Sequence, residues 1–403
     1  MSNSTSPRPL PERPDVRHLK DQAWELLKAG HASSLTEAQF HIARLYGFAS
    51  WPKLKHHVES LHVDEQIARL KHAIDTNDFV GMRTLMTRNT ALHRAPLGYG
   101  KNGPLTWVAE CRIPWEAPGT TRLAMAQWLI DHGSDVHQGG DGPLMRAALV
   151  DHRIPMMDLL VRNGADVNAE WDGRFPILFA PCETVEPLAL KWLLDHGADP
   201  HLPQSRGHES PLDYVIGTYS RSPNLSRCID LLVSAGCTTR RNIPAMLDLL
   251  CDRLDSLARH LDADPTLVER RFPEFDFGSS GARRLQLIGG TLLHLATEYG
   301  NVKAAQLLVA HGAGVNARAA LGQDEVGGQT PIFHAASQFF ELGLPMVRFL
   351  VEHGADLNLR ARLPGHYERP DEFVECTPLG YARLFPGNEN AAVEFLRSVG
   401  APE

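Results

Sequence analysis

The 403-residue chain lacks most of the signatures that would give its chemistry away. No stretch of about eighteen apolar residues occurs, so the sequence predicts no membrane-spanning helix. The opening MSNSTSPRPLPERP has no apolar core behind a basic patch and does not read as a secretory signal. Its six cysteines, Cys111, Cys182, Cys228, Cys237, Cys251 and Cys376, are scattered, with no C-x-x-C pair among them. That usage fits reduced thiols in the cytoplasm better than a disulfide framework or a zinc site. A formal charge of −8 is mild at this length, so no strongly electrostatic partner is implied for the molecule as a whole.

Catalytic motifs are missing as well. His208-Glu209 is followed by Ser-Pro rather than completing H-E-x-x-H, and GYGKNG at 98–103 lacks the spacing of a phosphate-cradling loop. GSSG at 278–281 is not a nucleophile elbow, and Asp276-Phe277-Gly278 matches the kinase triplet in letters only. Nothing in the residues calls for a metal, a cofactor or a small-molecule substrate, and no catalytic residue is expected.

What the chain does have is an echo. KWLLDHGADP at 191–200 recurs as QWLIDHGSDV at 127–136, QLLVAHGAGV at 306–315 and RFLVEHGADL at 348–357. Fainter copies are DLLVRNGADV at 158–167 and DLLVSAGC at 230–237. Apolar residues such as Trp192, Leu193 and Leu194 give a short helix a face to bury. A glycine just past the last turn can adopt the left-handed conformation that stops a helix. The histidine before it suits the helix's negative end. Ahead of each echo stands a second phrase: GPLMRAAL at 142–149, SPLDYVIG at 210–217, TLLHLATEYGN at 291–301, TPIFHAAS at 330–337 and TPLGYAR at 377–383. Thr or Ser before Pro predicts a helix start, the hydroxyl accepting a backbone N–H. The small pairs Ala147-Ala148 and Ala335-Ala336 let a neighbouring helix approach closely.

Each unit therefore reads as turn, short helix, short helix, glycine stop. Neither helix can stand alone, so units must stack. The closing glycines are spaced 31 residues apart from Gly133 to Gly164 and 33 from Gly164 to Gly197. The gap is 39 from Gly197 to Gly236, 42 from Gly312 to Gly354 and 46 from Gly354 to Gly400. The 76 residues from Gly236 to Gly312 predict a hidden unit without its glycine, placed at about 241–290.

These residues resemble ankyrin repeats, over roughly residues 64–403. The resemblance is closest where T-x-L-H and GADVN-like segments fall in register, at 291–318 and 330–358. Only His294 occupies the family's histidine position; Thr106, Met145, Leu178, Asp213, Phe333 and Gly380 stand there in other units. The implied fold is an all-α ankyrin-repeat solenoid of about eight helix-turn-helix units with long loop insertions, preceded by a small helical segment.

Outside the repeats, residues 1–13 read as a disordered tail. Residues 14–62 read as a helical cap with stripes at Leu19, Ala23, Leu26 and Leu27, and at Phe40, Ile42, Ala43 and Leu45. AQFHIARLYGFASWPKLKHHVE resembles a helical region that precedes ankyrin arrays in many predicted bacterial proteins. A helix-turn-helix DNA reader is the alternative, which would make the chain a transcriptional regulator. Residues 1–62 hold eight Lys or Arg against six Asp or Glu, far from a basic stripe, so the cap is preferred and nucleic acid is not the expected partner. Within 241–290, Leu247, Leu250, Leu254, Leu257 and Leu261 predict one amphipathic helix.

The resemblance implies a non-enzymatic interaction module that binds a protein through a concave surface. By the family's pattern that surface takes in Glu110, Leu149, Glu298, Tyr299, Gln338 and Phe339. The aromatic pair Tyr299 and Phe339 would be anchors, or would pack beneath their own inserted loops. Insertions at 94–103, 112–121, 217–226, 317–329 and 359–376 would lie on the binding edge. The richest, RARLPGHYERPDEFVEC, offers Arg360, Arg362, His366, Tyr367, Glu368, Arg369, Asp371 and Glu372 as recognition residues, or is a structural finger with internally paired charges. The histidines His132, His196, His311 and His353 recur at least one repeat apart, too far for shared metal ligation, and are expected to close helices.

Overall fold

A computed structural model describes residues 10–403, apart from 12–15, 29–30, 33–34, 47, 49, 98–100, 111–116, 172–174, 204–209, 219–220, 278–282, 323–324, 339–341, 367–370 and 386–389. Contacts divide the chain into two units, Met1–Gln138 and Gly139–Glu403. No described helix is long and apolar enough to cross a membrane.

The first unit holds α1 (Val16–Lys28), α2 (Leu35–Leu45), α3 (Trp51–Asp75), α4 (Phe79–Arg88), α5 (Pro104–Glu110) and α6 (Thr120–Asp131). The first three helices enclose a small core of Leu19, Ala23, Ala38, Ile42, Ala43, Tyr46, Leu54 and Val58. The second expected stripe is only half right: Ile42 and Ala43 are buried, whereas Phe40 and Leu45 are exposed. Ala38, Ile42 and Tyr46, four residues apart, define the buried face of α2 and turn Phe40 away from it. The segment 14–62 and the start of the array at about 64 share one helix, since α3 runs unbroken from Trp51 to Asp75. Between Pro52 and Asp75 there is neither Gly nor Pro to stop it. Its first half supplies Leu54 and Val58 to the N-terminal core, and its second half, with Leu70 and Ile74 buried, packs on α4 and α5.

The second unit continues with α7 (Gln138–Ala148), α8 (Ile154–Arg162), β1 (Glu170–Trp171), β2 (Phe175–Pro176), α9 (Phe179–Thr184), α10 (Pro187–Asp195), α11 (Pro211–Gly217) and α12 (Leu225–Ser234). Then come α13 (Pro244–Leu250), α14 (Leu254–Ala263), α15 (Leu292–Glu298), α16 (Val302–Ala310), α17 (Pro331–Ala336), α18 (Leu344–Glu352), β3 (Ala361–Pro364), β4 (Phe373–Cys376), α19 (Pro378–Ala382) and α20 (Ala391–Ser398). The helices stack in two rows. First helices meet first helices, α9 on α11, α13 on α15, α15 on α17 and α17 on α19; second helices do likewise, α10 on α12, α14 on α16, α16 on α18 and α18 on α20. The alanine pairs Ala147-Ala148 and Ala335-Ala336 are fully buried in the first-helix row. The fold is thus an all-α array of stacked helix pairs, the architecture that the ankyrin resemblance implies. It has seven helix pairs in this unit and two more in the first, among the described residues, where about eight were expected in all.

The closing motif works as its residues predict. Gly133, Gly164, Gly197, Gly236, Gly312, Gly354 and Gly400 all have φ between 79° and 103°, a region closed to most side chains. At His132, His196, His311 and His353 the ring Nδ1 lies 2.7–2.8 Å from the carbonyl four residues back. A carbonyl can only accept, so Nδ1 carries the proton. The rings of His132 and His196 also stack on Trp128 and Trp192, at 4.2 and 3.7 Å between centroids. The aspartates that follow fold the turn: Asp135, Asp166, Asp199 and Asp356 each accept the backbone N–H two residues on, at 2.8–2.9 Å.

The hidden unit is α13–α14, and here one expected helix is two. Asp252 takes a left-handed φ of 56° and separates Leu247 and Leu250 on α13 from Leu254, Leu257 and Leu261 on α14. Without a closing glycine, α14 ends at Asp264, whose carboxylate accepts from Thr266 N at 3.0 Å.

His294 makes the inter-repeat link that its position implies. Thr291 N donates to Nδ1 at 3.1 Å, so the ring proton sits on Nε2 and donates to the Gln329 carbonyl of the next unit at 3.1 Å. Burial, helped by His334, lowers its pKa to about 3. A folded pKa below the unfolded value means stability that is full above about pH 6.5 and lost as pH falls toward about 3. The urea midpoint of the protein should therefore decline as pH drops from 7 to 5, and less steeply in His294→Gln. Equal slopes would remove His294 as the cause.

Candidate functional site

Three of the residues expected on the binding face, Glu298, Tyr299 and Gln338, converge on one cavity of about 240 Å³. It opens at the C-terminal ends of α15 and α17, against the 217–226 insertion, which contributes Arg221 and Ser222. The exposed Leu342 forms part of its rim.

The geometry departs from expectation in one respect. Glu298 and Gln338 do not stand out as free groove-lining side chains; both are buried, Glu298 completely. The Glu298 carboxylate is drawn inward by two arginines, Arg221 Nη2 at 3.0 Å and Arg283 Nη2 at 2.8 Å, both on Oε1. Its other oxygen, Oε2, accepts from His334 Nδ1 at 2.8 Å. Gln338 donates to the Glu298 main-chain carbonyl at 2.8 Å, tying α17 to α15. Arg283 also reaches across to Ser337 Oγ at 3.0 Å and the His334 carbonyl at 3.2 Å. Tyr299 is half-buried: its hydroxyl donates to the Ile216 carbonyl, and the Arg221 guanidinium lies 4.4 Å from its ring centre. Tyr299 thus packs against Arg221 of the 217–226 insertion.

The charge states follow from these contacts. Burial alone would raise the Glu298 pKa, but Arg283 and Arg221, with the His334 hydrogen bond, hold it well below the carboxylate range. Burial lowers the pKa of His334 despite the neighbouring carboxylate, so its ring is neutral at pH 7. Glu298 stays ionised across the physiological range and His334 stays neutral, so this pair offers no proton exchange near pH 7. The cavity can recognise by shape and fixed hydrogen bonds, which suits binding rather than acid–base chemistry.

The second group of expected residues lies on the β3–β4 hairpin, an antiparallel pair with Ala361 opposite Cys376 and Pro364 opposite Phe373. Arg360 donates through Nη2 to the Glu375 carbonyl at 2.7 Å, and Arg362 sits 5.8 Å from the Phe373 ring centre. His366 lies 6.0 Å from the Phe385 ring, while Asp371 and Glu372 are exposed. The hairpin extends the 317–329 insertion, since Gly327 N donates to the Arg362 carbonyl at 2.8 Å. Phe339, Tyr367, Glu368 and Arg369 lie outside the described residues.

Sequence reasoning missed Arg221, Arg283 and His334. Arg221 and Glu298 are 77 positions apart, and no local pattern joins them. A buried position on α17 occupied by His rather than an aliphatic residue was the one available signal. Among the described residues no three His, Cys, Asp or Glu side chains come together as a metal ion requires.

Comparison with known families agrees with this architecture. The ankyrin-repeat family matches residues 265–361 as three copies and residues 139–172 as one. No curated protein matches the chain.

Proposed function

We propose that this ankyrin-repeat protein is a non-enzymatic interaction module of the cytoplasm, binding a protein partner through its first-helix row and inserted loops. Ankyrin repeats are generally protein–protein interaction modules and typically carry no catalysis. The observation that carries the finer reading is the cavity where Arg221, Glu298, Tyr299 and Gln338 meet, held rigid before any ligand arrives. On this reading the partner touches Tyr299 and Leu342 at the cavity rim, and Phe339 is a further contact by the family's pattern. The 360–376 finger meets it through Arg360, Arg362, His366, Tyr367, Glu368, Arg369, Asp371 and Glu372. Glu298 and Gln338 act beneath them as the fixed floor. Cytoplasmic residence is supported by Cys182, Cys228, Cys237, Cys251 and Cys376, all buried and none in a disulfide. The near-neutral N-terminal 62 residues lend a DNA-binding reading no comparable support.

Photo-crosslinking in the native cell tests the proposal, with the reactive group placed at Leu342 or Phe373 and, as controls, at Leu188 on α10 and Val233 on α12. All four side chains are similarly exposed, at 43–55%. Discrete protein adducts at the first two positions are expected, formed by a protein that rebinds the chain when purified. Adducts at all four positions alike, or none, would overturn it.

A further inference from the structure

In a stacked array each helix pair touches the pairs beside it and none beyond. The pair that begins with α11 breaks that rule. Past the end of α11 at Gly217, the Arg221 guanidinium reaches the Glu298 carboxylate on α15, at 3.2 Å from Nε and 3.0 Å from Nη2. A second contact runs the other way: the hydroxyl of Tyr299, just after α15, donates to the Ile216 carbonyl on α11. Both pass over the α13–α14 pair, which itself packs on α15 and α16. Only residues 251–253 join α13 to α14, so that pair raises no loop to block the span. Arg221 is also held at its base. Its Nη1 donates to the Thr218 carbonyl, and Thr218 Oγ1 donates to the Glu183 carbonyl on α9 at 2.8 Å.

What these contacts span is a joint. Close packing of helix on helix joins α9 to α11 and α13 to α15, and likewise α10 to α12 and α14 to α16. It lapses between α11 and α13 and between α12 and α14. Side chains from turns and from the connector fill the place instead. Arg241 pairs with Asp213 at 2.8 Å, and Arg253 pairs with Asp230. Phe277 lies against Arg241, 5.0 Å from guanidinium to ring centre, and so close to α11 that a Cβ on Gly217 would stand 3.3 Å from its own. Ion pairs and a single ring hold the two sides together without interlocking them as the ridges and grooves of packed helices do.

We propose that Arg221, seconded by Tyr299, is a latch across this joint, which makes α11 and α15 open and close together although their helix pairs are not neighbours. The latch rests on the fold alone and needs no partner. It also bears on the candidate site. Arg221, Ser222 and Pro223 line the cavity from one side of the joint, and Tyr299, Gln338 and Leu342 line it from the other. The cavity keeps its shape only while the latch is closed.

Native-state hydrogen exchange of the full chain in rising urea, followed by mass spectrometry, tests it through the amides of α11 and α15. In the wild type the two helices should lose protection along one common curve. In Arg221→Ala the curves should part, with opening rates at a given urea concentration differing by about tenfold. Tyr299→Phe, which removes only the hydroxyl, should part them in the same sense by about threefold, and it decides the matter if Arg221→Ala does not fold. Leu193→Ala, a buried change on α10 away from the latch, controls for simple loss of stability and should shift both curves together. Wild-type curves that already differ would overturn the proposal. So would curves that stay together in the variants, or that part as widely in Leu193→Ala.

Discussion

Glu298→Ala is expected to lower the unfolding free energy by about 3–5 kcal/mol, the usual consequence of removing one member of a buried ion cluster. Arg283 and Arg221 are almost inaccessible, at 0% and 7% side-chain exposure, and Glu298 is the carboxylate both of them share. Its removal also deprives His334 of its acceptor. Glu298→Gln, which keeps an acceptor and loses the charge, should fall between alanine and wild type. A triple replacement with Glu298→Leu, Arg221→Met and Arg283→Met should recover much of the loss, because the arginines rather than the space are what suffer. The pH dependence has a definite sign. A carboxylate held below its unfolded pKa contributes stability above that value and loses it as pH falls. The difference between wild type and Glu298→Gln should thus be full at pH 7 and shrink as pH falls below about 4.5. Urea unfolding followed by circular dichroism measures all three variants, and an alanine loss under about 1 kcal/mol would contradict the ion cluster.

Asp213→Ala is the second large effect, about 3 kcal/mol. Asp213 stands where the family has histidine, yet it performs a comparable task with different chemistry. Its carboxylate accepts from Ser210 Oγ at 3.0 Å, from Thr239 Oγ1 at 2.5 Å and from Arg240 N at 3.1 Å, fastening α11 to the turn before α13. Arg241 Nη1 adds an ion pair at 2.8 Å, with both side chains buried. Asp276 also contacts Arg241, at 2.9 Å, so the guanidinium would not be left wholly unpaired and the loss should not exceed that of Glu298→Ala. In a stacked array the damage should be local: native-state hydrogen exchange should show faster opening of α11 to α13, with α17 to α20 little changed. Uniform acceleration throughout would argue that the unit melts as one block.

How far the chain could be read in advance depended on range. Helix closure at His196-Gly197 and the turn at Asp199 are local, each settled by a few neighbouring residues, and both were legible. The α13–α14 pair was half legible. Its place came from the 76-residue gap between glycines, but Asp252 in a glycine-like conformation gave no advance sign. Phe40 misled because an apolar residue beside Ile42 was counted with the buried stripe, although its angle around the helix points elsewhere. At the candidate site the family pattern named Glu298, Tyr299 and Gln338, which line one cavity. It could not tell that Arg283, from an extended connector, would swing under α15 and turn Glu298 inward. That is a tertiary event between residues 15 positions apart with no helix joining them.

Helix α3 has a consequence for how the first unit comes apart. A single rod of 25 residues, about 37 Å long, belongs to two hydrophobic cores at once. Shortening the chain at residue 64 would strip that rod of its leading turns and leave fresh amide donors without acceptors in mid-span. The N-terminal helices are therefore not a detachable hat. They are yoked to the first repeat, and fraying on one side should be felt on the other.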